Sequence, residues 1–257
     1  MRKRYLFFDI DGTLMAGGYE NGYIPDSAKE ALRKLKEQGH FLAIATGRSN
    51  AMARQIMEDL GFENMVSDGG YGITIENRLL GIRPLPKEGI TELVRECEER
   101  GLPWGLQIDD SRTRLVPDGS FLEYTQDSYL NTKIVPGLRP ETQTEIYKAY
   151  VACRYPEEHS ILSLKKLPWC RYHETYIFVE PACKAEGIKT VMDHFGADYR
   201  DAVVFGDSVN DLSMFTDDWT KVAMGNAVQE LKDRADYITT DVDRDGIYNA
   251  CSALGLF

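Results

Sequence analysis

The stretch FFDIDGTLMAGG, residues 7–18, carries two aspartates two positions apart, Asp9 and Asp11, at the end of an apolar, aromatic run and directly before Gly12. In an extended segment, side chains at i and i+2 point the same way, so both carboxylates approach one point at a strand's C-terminal end. Such a pair repels unless a cation or a proton lies between its members. Other stretches offer complementary groups: Thr46-Gly47-Arg48 after a second apolar run, Lys184 at the head of a helix-like segment, and GDSVND, residues 206–211, after the run AVVF. Together they supply carboxylates for a hard cation, a hydroxyl, a fixed ammonium and backbone N–H groups. Carboxylate oxygens in modest number suit Mg²⁺, which keeps waters and shares its ligands with a substrate phosphate. The constellation reads as a phosphoryl-transfer site.

The elements that must position these groups alternate in period. Residues 4–9 read as a buried strand. PDSAKEALRKLKEQG then reads as a helix, with Asp26 as N-cap, Ala28, Ala31, Leu32 and Leu35 on one face, and Gly39 at its end. A second buried strand, FLAIAT at 41–46, precedes a helix from Asn50 to Leu60. This is βαβ grammar, which implies a parallel sheet with helices on its faces. It returns late in the chain: helix KAEGIKTVMDHFG, strand AVVFGD, helix NDLSMFTD, strand KVAMG, helix NAVQELKDRA, strand YITT and helix GIYNACSALG. In such sheets ligands sit beyond the carboxyl ends of the strands, where the motifs fall.

The middle differs. GITIENRLLG, residues 72–81, reads as a hairpin turning at Glu76-Asn77, and Pro84 and Pro86 precede a helix, GITELVRECEERG. Short strands (WGLQI, TRLVP, KAYVAC, TYIFVE) then alternate with about two helices. The expected organisation is a core from residues 1–82 and 180–257 with an α/β insertion over 83–179.

Composition bounds the partners. The 257-residue chain is 43% hydrophobic and 28% charged, ordinary for a globular protein, and its formal charge of −11 repels nucleic-acid phosphates. Arg2-Lys3-Arg4 and the apolar run after it stop at Asp9, too soon for a signal peptide, and no stretch is long enough to span a bilayer. The five cysteines are scattered without metal-type spacing, which fits a reduced cytoplasm. His40, His159, His173 and His194 lie away from the motifs, so a Ser/His or zinc mechanism has no support. DVDRDG at 241–246 matches the opening of a calcium loop, but Ser252 stands at its twelfth position and a strand precedes it. The expectation there is a turn that starts the last helix.

In order and spacing, DIDGTL, Thr46, Lys184 and GDSVND resemble the four motifs of the haloacid dehalogenase-like superfamily. The place of the insertion, the TGR form and DRDGIYNA resemble its Cof-type sugar-phosphatase subfamily. Two departures are SDGG at 67–70, where an Asn-Gly pair is frequent, and Glu186-Gly187 after Lys184-Ala185. The resemblance implies a Rossmann-like doubly wound sheet with an α/β cap that governs substrate choice. It also implies a Mg²⁺-dependent phosphatase acting on a small phosphorylated metabolite, a sugar phosphate above all. Asp9 would be the nucleophile, forming an aspartyl-phosphate. Asp11 would protonate the leaving oxygen and then deprotonate water, with its backbone carbonyl on the metal. Lys184, rather than Lys189, would be the phosphoryl-binding cation, and Asp9, Asp11 and Asp207 would hold Mg²⁺. Gly12, Thr46, Gly47, Arg48 and Asn210 would contact the phosphate, with Asp211 behind them orienting Lys184 and the metal's waters. A monomer or homodimer in the cytoplasm is expected. A phosphomutase-like transferase and a non-catalytic phosphate-binding module are the alternatives. Trp104, Gln107, Asp109, Arg112 and Arg114 are the polar or aromatic candidates for substrate selection within the insertion.

Overall fold

The computed structural model describes residues 2–18 and 21–257, and the chain forms two compact units, each with its own sheet. The first comprises residues 1–47, 53–81 and 183–257; the second comprises 48–52 and 82–182.

The first unit opens with β1 (Tyr5–Phe8), α1 (Asp26–Glu37), β2 (Phe41–Ala45), α2 (Asn50–Asp59, whose first residues group with the second unit), β3 (Asn64–Ser67), β4 (Gly72–Ile75) and β5 (Arg78–Ile82). The second unit holds α3 (Lys87–Arg100), β6 (Trp104–Gln107), β7 (Thr113–Val116), α4 (Ser120–Thr125), β8 (Asn131–Ile134), β9 (Lys148–Ala152), β10 (Trp169–Cys170) and β11 (Tyr176–Val179). The chain returns to the first unit through α5 (Lys184–His194), β12 (Ala202–Gly206), β13 (Thr220–Ala223), α6 (Gln229–Lys232), β14 (Tyr237–Ile238) and α7 (Gly246–Ala253).

The first sheet runs β14-β13-β12-β1-β2-β3-β4-β5, parallel from β14 to β3. β1, β2 and β12 are buried along their whole length, as a sheet covered on both faces requires. Leu6, Phe8, Ile44 and Phe205 pack with Leu32 and Leu35 of α1 and Ile247 of α7 on one face. Phe7, Ala43 and Val204 pack with Ile188 and Val191 of α5 on the other. Since β1 lies between β2 and β12, the strand order reverses there, and the carboxyl end of β1 is the topological switch point where open α/β sheets bind ligands.

The second sheet runs β10-β11-β9-β6-β7-β8 and is antiparallel except between β7 and β8. Among the described residues no helix is long and apolar enough to cross a membrane.

Local differences from the sequence reading have physical causes. Pro25, not Asp26, is the N-cap of α1; Asp26 is its first helical residue and pairs with Lys29 at 2.9 Å. The segment read as a helix over NDLSMFTD is a 3₁₀ turn, Val209–Met214, because the Asp211 carboxylate bonds back to the N–H groups of Asp207 and Ser208 and closes the chain tightly. β8 carried no apolar alternation to announce it: its residues, NTKI, are mostly exposed. The hairpin does turn at Glu76-Asn77, both left-handed, as a two-residue I′ connection demands.

Candidate active site

Asp9 directly follows β1, its N–H bonded to Phe205 O at 3.0 Å, and its side chain is buried. The first residue of α5, Lys184, is 1% exposed and places Nζ 2.7 Å from Asp9 Oδ1 and 2.5 Å from Asp211 Oδ1. Ser213 Oγ accepts the Lys184 N–H at 3.1 Å and ties the start of that helix to the 3₁₀ turn. The second Asp211 oxygen accepts from Asp207 N (2.9 Å) and Ser208 N (3.0 Å), so Asp211 is fully committed to holding other site groups. Gly206 makes this approach possible: a Cβ there would lie 2.7 Å from that of Asp211.

Asp207 stands beside Asp9, and Thr13 Oγ1 donates to its Oδ1 at 2.8 Å. Gly12, in the left-handed region at φ +84°, leaves room for the Asp207 carboxylate, whose Oδ2 would be 2.2 Å from any Cβ. The Gly12 N–H donates to Met15 O at 2.9 Å, and the glycine supplies space and turn conformation.

Oxygens of Asp9, Asp207 and Asp211 lie within 4.8 Å of one another around a single lysine. The excess of negative charge is visible in their proton affinities. Burial, then Asp211, raises Asp9 well above the ordinary carboxylate range, although Lys184 opposes this. Burial, Asp211 and, more weakly, Asp11 push Asp207 up to about 7. Burial alone would lower Lys184, but Asp211 and Asp9 outweigh it and raise the ammonium above its usual value.

This is a site that lacks positive charge. Its donor set is all carboxylate, as a hard divalent cation prefers. Asp211 is consumed by Lys184 and two N–H groups. Asp9 and Asp207 each give one oxygen to Lys184 or Thr13 and keep lone pairs to spare, so these two fit Mg²⁺.

The remaining expected residues fall as follows. Asp11 is exposed, next in chain to Gly12, and close enough to Asp207 to influence its proton affinity. Thr46, buried at the end of β2, donates its N–H to Val66 O (2.8 Å) and accepts from Gly69 N (3.1 Å). Gly69 O in turn accepts from Cys183 N (2.9 Å), so the unusual SDGG turn ties Thr46 to the residue before Lys184. Asn210 is half-buried on the 3₁₀ turn, and its Oδ1 is buried without a hydrogen-bond partner. Gly47 belongs to the first unit, whereas Arg48 groups with the second. Lys189 is away from it, paired with Asp218 at 2.7 Å. DVDRDG forms the expected turn into α7, with Gly246 N bonded to Asp241 O at 3.2 Å.

Of the candidates for substrate selection, Trp104, Gln107 and Arg114 are buried in the second unit and Asp109 and Arg112 are exposed. Thr13, Ser213 and Asn226 were missed. Thr13 stands inside DIDGTL, but nothing local marks its bond to a residue far along the chain.

The profile of the haloacid dehalogenase-like hydrolases matches residues 6–251. A Bacillus subtilis (strain 168) protein named "Putative phosphatase YkrA" is 36% identical over 265 residues, spanning 100% of this chain and 99% of its own. A crystal structure of a Geobacillus kaustophilus HTA426 protein superposes with a TM-score of 0.84 at 32% identity, each chain covered in full. The structure of the sugar phosphatase BT4131, of HAD subclass IIB, superposes with a TM-score of 0.80 at 26% identity, covering 99% of this chain and 100% of its own.

Proposed function

Since the chain belongs to the haloacid dehalogenase-like hydrolases, we propose that it is a Mg²⁺-dependent phosphatase that hydrolyses a small phosphorylated metabolite, a sugar phosphate, through an aspartyl-phosphate on Asp9. The observation that carries this reading is the Asp9–Lys184–Asp211 arrangement, with Asp207 beside it, at the switch point of the parallel sheet. The sugar-phosphate class follows BT4131, a sugar phosphatase among its structural relatives.

Lys184 holds one Asp9 oxygen and leaves the other to attack phosphorus, so a bond forms from Asp9 to phosphorus as the bond to the leaving oxygen breaks. Asp11 gives its proton to that oxygen. Water then attacks the phosphorus, Asp11 takes the water's proton, the Asp9–phosphorus bond breaks and inorganic phosphate leaves. Lys184 also neutralises phosphoryl charge, and Asp211 fixes its ammonium so that no reorganisation is needed during reaction. Thr46 offers its hydroxyl to a phosphoryl oxygen. Asp207, the Asp11 backbone carbonyl and the Lys184-bound oxygen of Asp9 would hold Mg²⁺, which would supply further charge neutralisation and leave the second Asp9 oxygen free to attack. The first unit is the catalytic core, the second supplies substrate selection, and the enzyme works in the cytoplasm.

A phosphate-release screen across phosphorylated metabolites, with Mg²⁺ and with EDTA, tests this. Release that needs Mg²⁺ and is greatest with a sugar phosphate is the expected result. Undiminished release in EDTA, or no release from any phosphomonoester, overturns it. Label from isotopic water should appear in the phosphate; transfer to a second sugar would mark a phosphomutase instead.

A further inference from the structure

Asn226 takes no part in the chemistry proposed above, yet its side chain joins the aspartate turn to a loop on another strand. Its Nδ2 donates to Gly12 O at 2.9 Å, and its Oδ1 accepts from Val242 N at 2.9 Å. A carbonyl only accepts and an amide N–H only donates, so these partners fix which way the side-chain amide faces.

The segment that carries Asn226 is itself anchored to the site. Met224 N bonds to Gly206 O (3.0 Å), Gly225 N to Thr240 O (2.9 Å) and Val228 N to Asp207 O (2.9 Å). At Gly225 a Cβ would lie 2.4 Å from Asp241 Oδ1, so the glycine lets the two loops close on each other.

Gly12 is therefore held on both of its peptide planes. Its N–H is fixed by Met15 O, which turns the Asp11 carbonyl the opposite way across the planar trans peptide. Its carbonyl is fixed by Asn226, and on the opposite edge of that plane the Thr13 N–H faces Ile10 O at 3.3 Å. The hydroxyl of Thr13 in turn holds Asp207 Oδ1. A left-handed glycine has no side chain to define its conformation, so the turn depends on such external bonds.

We infer that Asn226 is a positioning residue, which fixes the Gly12–Thr13 peptide and through it sets Asp207 and the Asp11 carbonyl for Mg²⁺. The inference rests on the reading of Asp9, Asp11 and Asp207 as a phosphoryl-transfer site. Asn226 is exposed, so its substitution removes no core packing.

Two variants separate this role from a simple loop tether. Asn226→Ala loses both bonds. Asn226→Asp keeps an acceptor for Val242 N but sets a carboxylate oxygen against the Gly12 carbonyl. If Asn226 positions Gly12, both variants should lower kcat by about 10- to 100-fold and weaken Mg²⁺ binding by a similar factor, with substrate KM within about threefold. Mg²⁺ binding is read without turnover, from the metal-induced rise in melting temperature. In metal-free protein, amide exchange within residues 10–15 should accelerate about tenfold in both variants.

An Asn226→Asp protein indistinguishable from wild type would overturn the proposal in favour of a tether to Val242. Wild-type Mg²⁺ affinity and exchange in Asn226→Ala would overturn it outright, and failure of both variants to fold would assign Asn226 to stability. If wild type releases no phosphate, the functional reading fails, while exchange in the turn still decides whether Asn226 holds it.

Discussion

Each unit buries a cation completely, and the two are balanced in opposite ways. In the first, Lys184 faces Asp9 and Asp211, with Asp207 close by, so carboxylates outnumber the ammonium. In the second, Arg114 is 0% exposed and pairs with a single carboxylate, Asp127, at 2.8 Å, with Thr132 Oγ1 at 2.9 Å. The rest of its guanidinium lies against rings, 4.1 Å from the centroid of Phe121, 5.2 Å from Tyr150 and 5.3 Å from Tyr176. Its Nε and Nη1 have no hydrogen-bond partner, and cation–π attraction takes the place of one. Asp127 is completed by Tyr176 Oη (3.0 Å) and Tyr129 N (3.2 Å). A buried charge thus does not by itself mark a site. The residual charge after local pairing does: the Arg114 cage is neutral and closed, whereas the Lys184 cluster has negative charge left over for a ligand to meet.

The comparison is tested most severely at Asp9. If Asp9 is the nucleophile proposed above, Asp9→Asn should lower kcat by at least about four orders of magnitude at any Mg²⁺ concentration. It should also raise the melting temperature of metal-free protein. The Asp9 carboxyl is held well above its ordinary range when folded, so its charged form destabilises the native state at neutral pH, and a neutral isostere relieves this. Phosphate release and calorimetry in EDTA measure the two effects; a fall in stability would mean the cluster is not overcharged. Lys184→Met should act in the other direction on stability. It should lower kcat by about two to three orders of magnitude and destabilise by about 3–5 kcal/mol, because it leaves buried carboxylates uncompensated.

Arg114→Met should separate stability from chemistry. Breaking the Asp127 pair should cost about 3–5 kcal/mol, read by urea titration, while kcat per folded molecule on an aryl phosphate stays within about threefold. A variant that kept its stability and lost turnover would make Arg114 a functional cation and break the comparison.

Sequence patterns made one of these cations more legible than the other. Lys184 is singled out over Lys189 by the resemblance of the four ordered motifs to a known family, at the head of a helix that the periodicity marks. By residue type Arg114 is a candidate for substrate selection, yet it shares a face of β7 with Val116, and both are buried. Period-two alternation could have shown that. The parallel sheet was legible for a similar reason: β1, β2 and β12 are fully apolar runs joined by amphipathic helices. What escaped notice were bonds between distant residues. Thr13 to Asp207 and Asn226 to Gly12 each span roughly two hundred positions with no local pattern. The exposed, polar β8 likewise gives no hydrophobic signal, because pairing with β7 alone defines it.

The smallest expected effect extends the contrast to carboxylates. Where Asp9 is raised, Glu96 of α3 is lowered to about 2: burial by itself would raise it, but the Ser163 hydroxyl and N–H, the Leu162 N–H and Arg100 all bond to its charged form. A carboxylate lowered in the folded state stabilises fully above its ordinary value of 4.5, and that contribution is lost as pH falls from there toward about 2. Glu96→Gln should therefore be less stable than wild type at pH 7. Screening by solvent limits such an interaction to about 0.2–1 kcal/mol, or roughly 1–3 °C in melting temperature. The deficit should shrink as pH drops below 4.5, because wild-type Glu96 is then increasingly protonated and loses the same bonds. Melting curves of both proteins from pH 7 to pH 3 would show it. A deficit independent of pH would mean that Glu96 acts through packing of its stem against Ser163 rather than through charge, and the contrast between the two carboxylates would then be one of position alone.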